Sequence, residues 1–128
     1  MTDPIADMFI RIKNAYLARK TQVQLPYSRI NEAIAKVMVR GGFLASVKVG
    51  GQPFKTLQLK LKYIDRQPAL TMVKRISKPG KKVYCQAKDL RRVNYGLGMN
   101  IISTSAGMMN GGQAKQKKLG GEVIGEMW

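Results

Sequence analysis

KTLQLKLKYI, residues 55–64, governs how the first half of this chain is read. Its alternation is strict, with Leu57, Leu59, Leu61 and Tyr63 on one face and Gln58, Lys60 and Lys62 on the other. A period of two with a single apolar face predicts a half-buried antiparallel strand, here with a basic outer edge. Working back from it, FLASVKV is a second strand, and the Gly-Gly-Gln-Pro that separates the two is a turn region. Ser28 can cap a helix with apolar positions Ile30, Ile34, Val37 and Met38, ended by Gly41-Gly42. QVQLP is a short strand halted by Pro26. At the start, Asp3-Pro4 supplies an N-cap acid and a proline for the first helical position. Ile5, Met8, Phe9, Ile12 and Tyr16 then recur at helical spacing, while Arg11, Lys13, Asn14, Arg19 and Lys20 lie off the centre of that stripe. The first half therefore reads helix-strand-helix-strand-strand.

Asp65-Arg66-Gln67-Pro68 marks the expected boundary, giving an N-terminal α+β domain over residues 1–65 and a β-rich domain over residues 66–128. Beyond it come ALTMVKRI, the turn SKPGKK, VYCQA, a polar turn or short helix near DLRRV, the strand MNIIS and a last strand, GEVIGEMW. Lys78-Pro79-Gly80 suits a type II turn, with glycine at the positive φ. The fold class is α+β, in two small domains.

Composition narrows function by exclusion. Histidine is absent and Cys85 is the single cysteine, so neither a Ser-His-Asp nor a Cys-His machine can be assembled, nor a cysteine metal cluster or an intramolecular disulfide. Seven acids are scattered without a close pair suited to two-carboxylate chemistry. GLGMNI lacks the third glycine of a dinucleotide loop and leads into a strand, so Gly96 and Gly98 read as a tight turn. No cofactor or metal is expected. No apolar run approaches the roughly 20 residues of a membrane span, and the N-terminus carries acids where a secretory signal carries basic residues. The expectation is a soluble chain.

What remains is charge. The chain nets +16, with 11 Lys and Arg against 3 acids in residues 1–64 and 12 against 4 in residues 65–128. A field of one sign over both halves repels itself unless a polyanion neutralises it, and nucleic acid is the polyanion that fits best. An anionic membrane surface fits less well, since no helix pairs a basic face with a bulky apolar one. Against this background Ser103-Thr104-Ser105 stands out, three hydroxyl residues directly after the apolar run MNII. Such residues turn a chain and satisfy local backbone groups. They also hydrogen-bond base edges and sugar 2′-hydroxyls, adding discrimination where lysines add affinity.

DPIADMFIRIKNA (3–15), ISKPGKKVY (76–84), GLGMNIISTSAGMM (96–109) and GGEVIGEMW (120–128), in this order and spacing, resemble the small-subunit ribosomal protein eight family over the whole chain. The resemblance implies a structural, non-enzymatic protein of the small ribosomal subunit, active in translation and subunit assembly. Its partner would be a helical junction in the central domain of small-subunit ribosomal RNA, beside neighbouring ribosomal proteins. Bacterial members also bind a similar hairpin in their own operon's messenger RNA, and a bacterial cytoplasmic ribosome is expected ahead of an organellar one.

Carried over by motif, Ser103, Thr104 and Ser105 would form the RNA-reading loop, shaped by Gly107. Gly120, Gly121 and Glu122 belong to the neighbouring turn and strand. Lys78, Pro79, Gly80 and Tyr84 match the basic turn and the strand after it, and Arg11, Lys13 and Asn14 match the basic edge of the first helix. Two departures stand out: alanine at position 106, and Asn110-Gly111-Gly112 where relatives open a short helix with Thr-Asp and a charged residue. Two glycines cost about 1 kcal/mol each in helix propensity, so QAKQKK is expected to be a frayed helix without its acidic cap until RNA orders it. Rival functions are a free regulatory protein of messenger RNA and an enzyme using Ser103 or Ser105 with a lysine base.

Overall fold

The computed structural model of the chain describes residues 3–51 and 53–128. Two compact units divide it, one over Pro4–Thr71 and the other over Met72–Trp128 with Asp3. Gln52, in the expected Gly-Gly-Gln-Pro turn, lies outside the described residues.

In the first unit α1 (Pro4–Leu17) begins at the proline, as the fixed φ and missing N–H of that residue favour. It buries Met8, Phe9, Ile12, Ala15 and Tyr16. Strand β1 (Gln22–Pro26) follows, then α2 (Arg29–Arg40), β2 (Ser46–Gly50) and β3 (Thr56–Lys60). The sheet order is β1-β3-β2, antiparallel throughout. Ser28 caps α2 as expected, its hydroxyl accepting from the Asn31 amide. At the other end the Gly42 and Phe43 amides donate to the Val39 and Met38 carbonyls, with Gly42 at φ 86. That is a Schellman close, which needs the left-handed step glycine provides.

One expected core residue is displaced. Ile30, in the first turn of α2, is 52% exposed, and the buried stripe runs through Asn31, Ile34, Ala35, Val37 and Met38. Asn31 occupies the N-terminal position because its Nδ2 donates to the Pro4 carbonyl at 3.3 Å.

The strand expected over 55–64 is interrupted. Leu57, Leu59 and Leu61 are all buried, but β3 stops at Lys60. The Leu61 amide then turns to the Thr21 carbonyl, and the Lys62 amide donates to the Tyr16 hydroxyl at 3.0 Å. That hydroxyl in turn donates to the Phe43 carbonyl at 2.6 Å. Burial of the Tyr16 phenol raises its pKa, partly offset by the Lys62 amide. The chain resumes as a small hairpin, β4 (Tyr63–Ile64) with β5 (Gln67–Pro68). Asp65 and Arg66, between which the domain boundary was expected, form its turn, both at positive φ (50 and 67). The units part after Thr71 instead.

The second unit is β-rich. Strands β6 (Val73–Arg75), β7 (Tyr84–Cys85), β8 (Met99–Thr104), β9 (Gly107–Asn110) and β10 (Gly121–Met127) build one sheet, ordered β6-β10-β8-β9 with β7 also on β10. The strand β9 has no counterpart in the sequence reading. A register shift between Val123 and Gly125 kinks β10 against β8. Helix α3 (Gly111–Gln116) sits beside the sheet, and its Ala114 joins Leu90, Ile102 and Met109 in a buried cluster.

The lost acidic cap is replaced. The Asn110 side chain accepts from the Gln113 amide at 2.8 Å, and the Gln113 side chain accepts from the Asn110 amide at 3.3 Å. This capping box closes the first turn of α3.

Candidate nucleic-acid interface

Antiparallel pairing brings four residues from four strands into one row. Tyr84 of β7 faces Glu122 of β10, Glu122 faces Ser103 of β8, and Ser103 faces Met108 of β9. Directly paired residues share a face of the sheet. The next row, Val123, Ile102 and Met109, points the other way and packs in or against the buried cluster under α3. The first row is thereby left outward: Tyr84 is 68% exposed, and Ser103, Glu122 and Met108 are half-buried.

The three hydroxyls have different structural roles. Ser103 and Thr104 belong to β8, and only Ser105 lies in the turn with Ala106. The expected Ser-Thr-Ser loop is thus the tip of a β8–β9 hairpin, because β9 pairs Thr104 with Gly107. The Thr104 hydroxyl is spent on that turn, donating to the Gly107 carbonyl at 2.8 Å and accepting from the Ala106 amide at 3.1 Å. Gly107 takes the left-handed step at φ 109, which a side chain would strain. Among the described residues neither Ser103 nor Ser105 has a side-chain hydrogen bond, and Ser105 is exposed.

Glu122 ties the basic turn to this row. Buried Ser77 donates its hydroxyl to Glu122 Oε2 at 2.6 Å and accepts from the Val83 amide at 3.0 Å. Ser77 precedes the turn Lys78-Pro79-Gly80-Lys81, closed by two Lys78–Lys81 backbone bonds of 3.0 Å. All four turn residues are exposed. Gly80 is not in the left-handed region, so the type II turn expected from Pro-Gly is not what forms. With both ends held by reciprocal backbone bonds, the turn closes without a positive φ.

Close backbone approach explains Gly121. A Cβ there would collide with the Ser103 carbonyl, and one at Gly120 would lie 2.6 Å from the Cys85 carbonyl. The glycines let β7, β10 and β8 converge where the outward row sits. They also floor a shallow groove lined by Tyr84, Gln86, Lys88 and Lys118. Gln86, Lys88 and Lys118 escaped the sequence reading, since nothing in a lone surface lysine marks its neighbours.

Arg11, Lys13 and Asn14 belong to the other unit. Arg11 Nε lies 3.0 Å from Asp7 Oδ2, one turn back on α1, so part of its charge is matched within the helix. Lys13 is half-buried. Arg11 and Asn14 line a polar groove with Lys20, Gln22 and Gln24, between α1 and β1.

Comparison with known proteins covers the whole chain. The family model described as Ribosomal protein S8 matches residues 3–128. The small ribosomal subunit protein uS8 of Sorangium cellulosum is 47% identical over 130 residues, covering all of this chain and 99% of that protein. The protein of the same name from Roseiflexus castenholzii is 45% identical, covering 98% of its length. That of Chloroflexus aggregans is 44% identical, again over the whole of this chain. The chain belongs to the ribosomal protein S8 family.

Proposed function

We propose that this protein is a structural constituent of the bacterial small ribosomal subunit that binds the central domain of the small-subunit ribosomal RNA and aids subunit assembly, acting by binding without catalysis. The observation that carries the binding site is the outward row Tyr84, Glu122 and Ser103, flanked by the exposed Ser105 turn and joined through Ser77 to the basic turn. Lys78 and Lys81 neutralise phosphates, and the hydroxyls of Ser103 and Ser105, unpartnered within the described chain, meet polar groups of a distorted minor groove. Tyr84 offers an exposed ring to a base. Gly107, Gly121 and Glu122 hold the surface, as do Pro79 and Gly80 the turn, while Arg11, Lys13 and Asn14 contribute contacts from the first helix.

The test compares a central-domain junction with a random duplex of equal length at one salt concentration. Ser103→Ala with Ser105→Ala should cost roughly 1–3 kcal/mol on the junction and far less on the duplex. Lys78→Gln with Lys81→Gln should weaken both RNAs alike. Equal losses on both RNAs from the serine variant would reduce these hydroxyls to hairpin chemistry. Tighter binding to an own-operon messenger hairpin than to the junction would move the main target to messenger RNA.

A further inference from the structure

We propose that the Asn110-Gly111 peptide, where β9 runs into α3, is a self-modification site gated by that helix. While α3 is open the asparagine cyclises and hydrolyses to aspartate or isoaspartate, and while α3 is closed the reaction is held back. The chemistry needs only the chain and water. The Gly111 backbone nitrogen loses its proton to solvent and attacks Asn110 Cγ, forming a C–N bond. The side-chain nitrogen takes up a proton and leaves as ammonia. Water then opens the cyclic imide at either carbonyl. One opening gives aspartate; the other gives isoaspartate, whose main chain runs through Cβ and is longer by that carbon. A side chain on the following residue hinders the attack, and glycine has none. Of Asn14, Asn31, Asn94, Asn100 and Asn110, only the last precedes glycine.

Packing demands the glycine and the fold restrains the asparagine. Gly111 is buried, and a Cβ on it would overlap the Asn100 side chain. Asn110 is paired with Ile101 in the sheet and sits at ψ 164, with its Oδ1 held by the Gln113 amide at 2.8 Å. Its own amide donates to Gln113 Oε1 at 3.3 Å. The Gly111 nitrogen is fixed in the first residue of the helix, so it cannot swing on to Cγ until α3 lets go. The restraint is weak. The helix has six residues, begins with two glycines and buries only Gly111 and Ala114. Short elements with few buried contacts open far more often than the whole chain unfolds. Either product adds an acid to a chain that nets +16. Aspartate keeps a capping oxygen, whereas isoaspartate shifts α3 at the end of β9 and pulls Ala114 from Leu90, Ile102 and Met109. An opening of α3 is thereby recorded in the covalent chain.

The inference does not depend on RNA binding. The full-length protein is held at mildly alkaline pH, folded or in guanidinium, and peptide mass spectrometry follows amide-to-acid conversion at each asparagine, with isoaspartyl methylation to separate the products. Conversion in guanidinium should concentrate at Asn110 and should be at least about tenfold slower in the folded chain, the expected protection for a locally opening element. Ala114→Gly should speed the folded reaction about fivefold, the effect of one poor helix former, without changing the rate in guanidinium. Ser28→Ala, which loosens a helix of the other unit, should leave it unchanged. Thermal melting checks folding. If Ala114→Gly does not fold, Gln113→Ala, which removes the bond to the Asn110 amide, should act in the same direction. Equal rates in folded and unfolded wild type overturn the inference, as does conversion in guanidinium that spares Asn110. An unaltered rate in the α3 variant overturns it too. Equal acceleration by Ser28→Ala would make global unfolding the gate and overturn it as well.

Discussion

In the unit over Pro4–Thr71 the apolar side of the sheet never changes: Leu57 and Leu59 point inward along β3, and Gln58 and Lys60 point outward. In the unit from Met72 to Trp128 the buried side does change. Ile101 and Ile102 are adjacent in β8 and therefore face opposite sides, yet both are fully buried. The register shift in β10 between Val123 and Gly125 lies at the same level. One-sided burial leaves a strand free to carry any side chain on its outer face. Two-sided burial forces strands together and makes the missing Cβ of glycine a structural requirement.

The largest effect should therefore come from a single methyl in the second unit. Gly121→Ala sets a Cβ against the Ser103 carbonyl, which is backbone and has no rotamer to yield. Overpacking of this kind costs about 3 kcal/mol. Gly80→Ala, by contrast, meets nothing within 4 Å and needs no left-handed φ, so it should melt within about 0.5 kcal/mol of wild type. A calorimetric comparison of the two checks this. If Gly121→Ala melted like Gly80→Ala, the contrast between one-sided and two-sided sheets would lose its physical basis.

The first unit has its own vulnerable point, the hydroxyl of buried Tyr16. Tyr16→Phe strands the Phe43 carbonyl and the Lys62 amide, at a cost of about 2 kcal/mol. The pH dependence follows from the direction of its shift. Burial raises the Tyr16 pKa in the folded chain, so the unfolded chain ionises first, near about 10. Below that pH the stabilising contribution is complete, and it is lost as pH rises through the raised folded pKa. Tyr27 is shifted the same way, chiefly by its hydrogen bond with Glu32. Tyr16→Phe should therefore flatten part of the alkaline loss of stability and leave the remainder. Urea titrations at neutral and alkaline pH measure it, and an unaltered alkaline slope would remove Tyr16 from the account.

These same residues show what could be read in advance. The pattern of KTLQLKLKYI identifies its buried leucines because period two survives wherever one face meets solvent. The pattern cannot show that Lys62 leaves the strand, since the Tyr16 hydroxyl that takes its amide comes from 46 residues away. In the second unit ISKPGKK and GGEVIGEMW are legible as turn and strand. The pairing of Tyr84, Glu122 and Ser103 into one row depends on register, which no local pattern carries. Ser-Thr-Ser is misread as one loop for a related reason: β9 is short, and its Gly107-Met108-Met109-Asn110 has too little alternation to declare a strand. Thr104 consequently has a structural part as well, its hydroxyl closing the hairpin.

The smallest expected loss among the hydrogen-bonded groups concerns the two helix caps, one in each unit. Ser28 caps the twelve-residue α2 through a long 3.4 Å contact, and that helix is also held by Ile34, Ala35, Val37 and Met38. Asn110 caps the six-residue α3 at 2.8 Å in a reciprocal box, and α3 buries only Gly111 and Ala114. A helix this short lacks the length to persist on propensity, and two of its residues are glycine. Asn110→Ala and Ser28→Ala should each cost about 1 kcal/mol, but the losses should appear in different observables. Ser28→Ala lowers the melting temperature slightly and leaves the amides of α2 protected from exchange, because packing still closes the helix. Asn110→Ala opens α3 locally, so the amides of residues 115–117 exchange faster while global melting barely moves. Hydrogen exchange on both variants checks it. If α3 kept its protection without Asn110, packing of Ala114 alone would be enough to hold the helix, and the caps of the two units would be equivalent.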